Sequence, residues 1–402
     1  MSIRDYYKLT RENFSLNPKQ DASVYFGGAN INGRIKDRLE TDFLEERSVP
    51  KFMIFGQYGA GKTHTLGHIR YVLGADPYFS VGYPTEVRLT ELPPLRSRDT
   101  WAKIHGLLVD ELGRDLIRSA AKSLARQAPE SVDPEQHFFE NAVPFGDTAL
   151  RSSQAKIYQA LLFTGRQETV AWEWLKGRSL SADEKATLGV ETDLSGPMSY
   201  LNALLNLASL VHRGLGRKVV LLVDEAESLR SVSDSNSVDE FTSMFRKLMD
   251  NDNNVLGMVL AFQSEGGMED APEMLTDEAV RRRVGHDSGY IDLTPLVSEG
   301  SDVKDFITEV LCYLVDQEAA KAVLEKEGSD VDPGMFPFTV DAIEALAEYV
   351  MEEPGRQVPS QIISKMSTCV ATAYRDGMRT GHACRLVDEG IVNQVLYPDQ
   401  ES

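Results

Sequence analysis

The 402-residue chain reads as an α/β protein: a parallel-sheet core, a helical insertion inside it and a C-terminal helical domain. Three observations predict this. Short apolar runs at Lys51-Phe-Met-Ile-Phe55, Val219–Val223 and Val255–Phe262 have the length and content of buried parallel strands. Helical patterns at 63–73 and Val238–Met249 alternate with them. Past Leu296 the pattern is helical, with loops at Gly328–Pro337 and Glu353–Pro359.

In chain order, residues 1–48 form a mixed polar N-terminal extension with turn signals at Asn17-Pro18 and Gly27-Gly28. Within it Ile35, Leu39, Phe43 and Leu44 share one helical face. Residues 49–296 carry the core, and Val81–Leu89 alternates as a further strand. From Leu95 to Gly214 the text is mostly helical, with breaks near 129–134, 144–146 and 195–197. Within it, the segment of about 95–205 stands between the strand runs at 81–89 and 219–223. It holds all three tryptophans, Trp101, Trp172 and Trp174, for which packed core is the expectation and a partner-binding surface the alternative. Residues 231–237 (SVSDSNS) read as a flexible loop, and residues 297–402 as a helical lid domain.

Composition limits the function. Hydrophobic residues make up 42% and charged residues 26%, too apolar for a disordered chain and too charged for a membrane protein. No run approaches the roughly 20 apolar residues of a membrane span, and MSIRDYYKLTRENF offers no signal-peptide core. Cys312, Cys369 and Cys384 are too few and too scattered for a disulfide framework or a zinc knuckle. A cytoplasmic protein is expected. The net charge of −20 speaks against a broad nucleic-acid footprint.

Gly56-Gln57-Tyr58-Gly59-Ala60-Gly61-Lys62-Thr63 satisfies G-x-x-x-x-G-K-[ST], follows a strand and opens a helix at Lys62 to His64. Glycines let successive backbone N–H groups converge on phosphate oxygens, and the helix start adds its positive dipole end. Lys62 is placed to reach the β- and γ-phosphates, and Thr63 to hold Mg²⁺. The aliphatic run Val219–Val223 then ends in Asp224-Glu225. Asp224 is the expected second Mg²⁺ centre, through its water shell, and Glu225 the base that orients and activates the attacking water. The Asp-Glu pair and the lack of an NKxD-type guanine reader make ATP the expected nucleotide.

GQYGAGKT, then VVLLVDEAESL, then Leu260-Ala-Phe-Gln263, then Asp277-Glu-Ala-Val-Arg-Arg-Arg283 and a helical tail resemble the AAA+ ATPases. Within them the chain is most similar to the initiator-like branch, which includes replication-origin ATPases and ATPase regulators of transposons. GQYGAGKTH and LLVDEAESL also resemble the ATP-binding proteins of BREX-type phage-defence systems. The likeness spans roughly residues 30–90 and 215–370.

The resemblance implies further roles. Gln263 falls at the sensor-1 position, where Asn, Ser or Thr is commoner. Arg281, Arg282 and Arg283 fall where the family places an arginine finger that reaches a neighbouring subunit; Arg282 is preferred among them. Arg356, in Glu353-Pro-Gly-Arg356, resembles the sensor-2 arginine that senses the γ-phosphate. A homo-oligomer, a protein partner and DNA are the partners such a protein takes. The 162 positions from Lys62 to Asp224 exceed the family's usual spacing, which is why an insertion is expected. Two classes of function remain: a motor that assembles on nucleic acid, and an ATP-bound oligomeric switch or scaffold that recruits proteins.

Rival readings of the same letters are weaker. Leu194-Ser195-Gly196 precedes the Asp224-Glu225 strand as an ABC-type signature would, but Pro197 and Met198 replace its remaining residues, so a helix-start loop is expected. His64 and His68 stand four apart without the glutamate of a zinc protease, and His382-Ala-Cys384 is too little for a metal site. Charge is uneven: residues 301–402 hold 19 acidic and 8 basic side chains, whereas residues 1–48 hold eight of each. An acidic tail points any nucleic-acid contact toward the N-terminal segment or the core.

Overall fold

A computed structural model describes residues 1–18, 20–26, 29–41, 49–75, 82–88, 97–232, 235–250, 254–293 and 299–398. The chain begins α1 (Ile3–Tyr7), α2 (Ala29–Glu40), β1 (Lys51–Gly56), α3 (Lys62–Ala75) and β2 (Gly82–Arg88). Helices α4 (Ser97–Leu112), α5 (Arg114–Ala125), α6 (Pro134–Asn141), α7 (Thr148–Ala160), α8 (Arg166–Leu175), α9 (Ala182–Leu188) and α10 (Pro197–Leu215) follow. Next come β3 (Lys218–Asp224), a 3-10 turn at Ala226–Ser231, α11 (Ser235–Leu248) and β4 (Leu256–Gln263). After these lie α12 (Glu273–Thr276), α13 (Glu278–Val284) and β5 (Tyr290–Asp292). The tail is α14 (Gly300–Leu314), α15 (Gln317–Glu327), α16 (Val340–Glu352), α17 (Pro359–Thr380) and α18 (Glu389–Leu396).

The five strands form one sheet in the order β2-β3-β4-β1-β5. β3 pairs parallel with β2 on one side and β4 on the other, with Val219 opposite Leu256 and Val223 opposite Leu260. Parallel neighbours need helical crossovers, which bury both sheet faces and explain why β1, β3 and β4 read as continuous apolar runs. The predicted class is therefore the observed one: a parallel-sheet α/β core with a helical insertion and a C-terminal helical domain. β5 was not legible, because Tyr290-Ile-Asp is too short to show an alternation. Ser235–Ser237, read as loop, open α11. Ile35 and Leu39 are buried on α2 as their spacing predicts; Phe43 and Leu44 lie outside the described residues.

The chain divides into two compact units. The larger comprises residues 35–55 and 66–291 and contains the sheet. Its helical insertion has no separate core: Trp101, Leu108 and Trp174 belong to the same buried cluster as Met53, Leu221 and Leu260. α10 explains this. Leu201, Ala203, Leu204, Leu205, Leu207, Ala208, Leu210 and Val211 are all buried, so the helix is apolar around its circumference and sits inside. Trp101 and Trp174 are 1% and 0% exposed, and Trp172 packs partly buried beside the same core. The tryptophans are thus packing residues. The fully buried Asn206 of α10 is satisfied: it bonds both the N–H and the C=O of Phe145, each at 2.9 Å.

The smaller unit comprises residues 1–34, 56–65 and 292–402. Residues 1–34, the larger part of the N-terminal extension expected at 1–48, belong to this unit together with the tail. Tyr6 and Tyr7 are buried with Val310, Leu346 and Val370 in one cluster. The Tyr7 hydroxyl donates to Arg385 O at 2.7 Å, and the Tyr6 hydroxyl accepts the Arg385 N–H at 2.7 Å. Arg11 holds the buried Asp21 through both guanidinium nitrogens, and Tyr313 of α14 donates to the same carboxylate at 2.9 Å. Among the described residues no helix is long and apolar enough to cross a membrane.

Candidate nucleotide site

β1 ends at Gly56, and the next five residues turn the chain into α3. Gly59 and Gly61 have φ of +84° and +94°, a region that side chains with a Cβ avoid. The Lys62 ammonium donates back to Gly56 O at 3.0 Å and Gln57 O at 2.9 Å. It thus lies over the loop that its own backbone forms. Tyr58 is 78% exposed at the tip of the loop.

The loop is held from two directions within its unit. Ser360, at the start of α17, donates its backbone N–H to Gly59 O at 3.3 Å. From the N-terminal segment, the Tyr25 hydroxyl lies 3.0 Å from Thr65 Oγ1. His64 Nε2 is 2.8 Å from Val24 O, and the His64 ring stacks on Tyr25 and Phe26 at 5.8 and 5.9 Å. Burial pushes the Tyr25 phenol up to about 12, with the Thr65 bond opposing it. His64 thus anchors the N-terminal segment to α3.

Beside Gly59–Gly61 lies a cavity of about 460 Å³. Phe14, Tyr25, Phe26, Phe306 and Ile363 give it apolar walls, while Ser360, Ser364, Ser367 and Thr368 of α17 present hydroxyls. Sequence reasoning missed all of these except the loop glycines and His64. The one available signal was Tyr25-Phe26 standing just before Gly27-Gly28. Arg356 does not line the cavity. Its guanidinium bonds Glu352 at 2.7 Å and Glu353 at 3.0 Å and lies 3.8 Å over the Tyr349 ring. Neighbours within one turn compete for this arginine, so the structure places it among them rather than at the loop.

In the larger unit, Asp224 ends β3 with 2% exposure. Glu225 follows in a left-handed conformation, φ 60° and ψ 35°, its N–H donating to Asp224 Oδ1 at 2.9 Å. Lys8 and Glu225 are the two described non-glycine residues with positive φ. Such backbone strain costs about 1–2 kcal/mol and concentrates at functional sites. Gln263 ends β4, and its N–H donates to Glu227 Oε2 at 2.9 Å. Phe55 of β1 and Phe262 of β4 stack with centroids 5.6 Å apart, which brings the ends of these two strands side by side.

Arg281, Arg282 and Arg283 lie in the last turn of α13, which Asp277 caps by accepting from Ala279 N at 2.9 Å. The bond from Arg246 holds the Asp277 carboxyl below the usual carboxylate range, against burial. Arg283 is turned inward to Ala279 O and toward Asp250, whereas Arg282 is exposed. Gly196 caps α10 and Pro197 begins it, so Ser195-Gly-Pro is the start of a helix, not a signature loop. The Mg²⁺ donors expected here, the Thr63 hydroxyl and the Asp224 carboxylate, are hard oxygen ligands of the kind that ion takes. Among the described residues no three His, Cys, Asp or Glu side chains form a metal cluster.

No family model matches the chain, and no curated protein matches it. Solved structures do. One is the Aeropyrum pernix ORC2 protein in ADPNP-ADP complexes, 11% identical over 94% of this chain and 71% of that one, TM-score 0.49. Another is Cdc6p from Pyrobaculum aerophilum, 11% identical over 95% and 68%, TM-score 0.43. A third is domain III of the Thermotoga maritima replication initiation protein DnaA, 14% identical over 96% and 100%, TM-score 0.38. TM-scores below 0.5 at such identities assign neither family nor activity. What the fold defines is an α/β protein whose parallel sheet carries a G-x-x-x-x-G-K-T loop at the end of β1 and an Asp-Glu pair at the end of β3.

Proposed function

We propose that the chain binds ATP and hydrolyses it as an AAA+-type ATPase. The observation that carries this reading is the cavity beside Gly59–Gly61. Its aromatic and aliphatic walls suit a purine base, its α17 hydroxyls suit the base edge and ribose, and the adjoining loop amides suit phosphates. Lys62 then exchanges its two loop carbonyls for phosphate oxygens. Thr63 and Asp224 would hold Mg²⁺, which when bound offsets the charge on the phosphates. Glu225 orients water, and Gln263 reads the γ-phosphate.

The protein acts as an oligomer in which Arg282, the exposed member of its turn, supplies charge to a neighbour's nucleotide. Its nucleotide state is coupled to a nucleic-acid-directed process of replication, transposition or defence type. The sequence resemblance supports that step, and the neutral charge balance of residues 1–48 sets no net repulsion against DNA there, unlike the acidic tail.

Equilibrium binding of an ATP analogue and steady-state turnover test the proposal. Lys62→Ala is expected to lose binding, and Glu225→Gln to bind but turn over at least about a hundredfold more slowly. Undiminished turnover in Glu225→Gln overturns that assignment. Mixing Arg282→Ala with Lys62→Ala restores part of the activity if the arginine acts in trans; no recovery at any ratio, with oligomers intact, counts against it. Stimulation by DNA or RNA marks a motor, and stimulation only by a protein marks a scaffold.

A further inference from the structure

We infer that Glu227 and Arg230 are positioning residues that lock Gln263 to the segment carrying Asp224 and Glu225. The inference rests on the ATPase reading and names a coupling within that site.

Gln263 is the last residue of β4, where a strand's backbone groups run out of ladder partners. Both of its groups are taken by side chains of one short turn. Glu227 Oε2 accepts the Gln263 N–H at 2.9 Å, and Arg230 Nη2 donates to Gln263 O at 2.8 Å. Each bond has one charged partner, which makes it stronger than a neutral peptide–peptide bond.

The turn is itself fixed to the carboxylate pair. Ser228 donates to Glu225 O through its hydroxyl at 2.8 Å and its N–H at 3.1 Å. Ala226 and Leu229 are fully buried beneath it. The left-handed Glu225 is therefore held at its carbonyl by Ser228 and at its N–H by Asp224. A shift of the Asp224-Glu225 peptide must move Glu227 and Arg230, and with them Gln263.

The connection continues past the strand. Arg230 Nη2 also donates to Asp270 O, so one guanidinium spans the loop from Gln263 to Asp270. Inside that loop the Ser264 hydroxyl bonds Gly267 O and the Gly266 N–H bonds the Asp270 carboxylate. The loop leads through α12 into α13, which carries Arg281–Arg283. Arg230 is exposed, yet its recorded bonds go to backbone carbonyls rather than to a carboxylate, as befits a clamp on loop geometry. Displacements of about 1 Å at such supports cost up to about a hundredfold in rate.

The test uses the full chain with Glu227→Leu, Glu227→Gln and Arg230→Met. ATP turnover, ATP-analogue affinity, thermal stability and amide exchange at Gln263 are measured for each. Glu227→Leu is expected to lower kcat by about tenfold or more, with KM and analogue affinity within about twofold, and to speed exchange of the Gln263 amide. Glu227→Gln keeps an acceptor for that amide and is expected to restore most of kcat. Arg230→Met, at an exposed position, is expected to lower kcat without lowering Tm.

Turnover in Glu227→Leu and Arg230→Met equal to that of the unsubstituted protein overturns the inference and leaves the ATPase reading standing. So does a parallel collapse of kcat, affinity and Tm in both variants, which is the signature of a merely structural role. No turnover in the unsubstituted protein overturns the ATPase reading and the inference together.

Discussion

The rings of Phe55 and Phe262 stack nearly parallel, 5.6 Å between centroids and 12° between planes. Each is the residue just before a site element: Gly56 follows one and Gln263 the other. Phe262 is fully buried and Phe55 is 5% exposed, so truncation opens a cavity at the functional end of two strands. Phe262→Ala is expected to destabilise the fold by about 3–5 kcal/mol, and Phe262→Leu by much less. Urea unfolding of the three proteins measures this. A loss below about 1 kcal/mol in Phe262→Ala would show that the ring is not core.

Gly59 is expected to be irreplaceable for two separable reasons. Its φ of +84° strains any residue with a Cβ, at about 1–2 kcal/mol, and an added methyl would overlap the Ser360 hydroxyl. Gly59→Ala should lower stability and abolish analogue binding. Adding Ser360→Gly removes the overlap but not the strain, so the double variant should recover part of the stability. Strict additivity of the two substitutions would refute the contact.

His105 is fully buried, with Nε2 2.6 Å from Leu175 O. Burial pushes its pKa down to about 4, with the Leu175 carbonyl opposing. The unfolded chain protonates this imidazole near its ordinary value of about 6.5, before the folded chain does. Its contribution is therefore complete above about pH 6.5 and is lost as pH falls toward about 4, on the order of 3 kcal/mol over the whole window. Denaturant unfolding at about pH 7.5 and about pH 5 should show a smaller acid loss in His105→Gln than in the unsubstituted protein. Equal losses would rule out a neutral buried His105.

Asn206 is fully buried and serves as a side-chain substitute for a backbone partner. It bonds both backbone groups of Phe145 at 2.9 Å and also donates to Gln154 Oε1 at 2.9 Å. Asn206→Ala leaves these groups without their partner inside the insertion, at a cost of about 2–4 kcal/mol. Unfolding midpoint and m-value, measured together, check it. A change under about 0.5 kcal/mol would mean that water replaces the amide without cost.

Legibility followed locality. The G-x-x-x-x-G-K-T loop and the strand ending in Asp224-Glu225 could be read because each is a run of adjacent residues whose spacing is the chemistry. Val219–Val223 showed itself as a parallel strand because both faces are buried. β5, three residues long, carried no periodic signal. For Arg356 the family resemblance implied a sensor role; in the structure Glu352, Glu353 and Tyr349 surround it.

The sequence by itself determined the fold class, the position of the phosphate-type loop and the acidic pair, because hydrophobic period and glycine placement are properties of short windows. Tertiary structure alone decided what surrounds them. Tyr25, Phe26 and Phe306 line one cavity with Ser360 and Ser364, residues drawn from three distant stretches of chain. Residues 1–34 join 292–402 because Tyr6, Tyr7 and Phe14 have an apolar cluster there to fill. Glu227 meets Gln263 across 36 positions because β3 and β4 are neighbours in the sheet. Such pairings are set by packing of non-local surfaces, and no window of adjacent residues contains them.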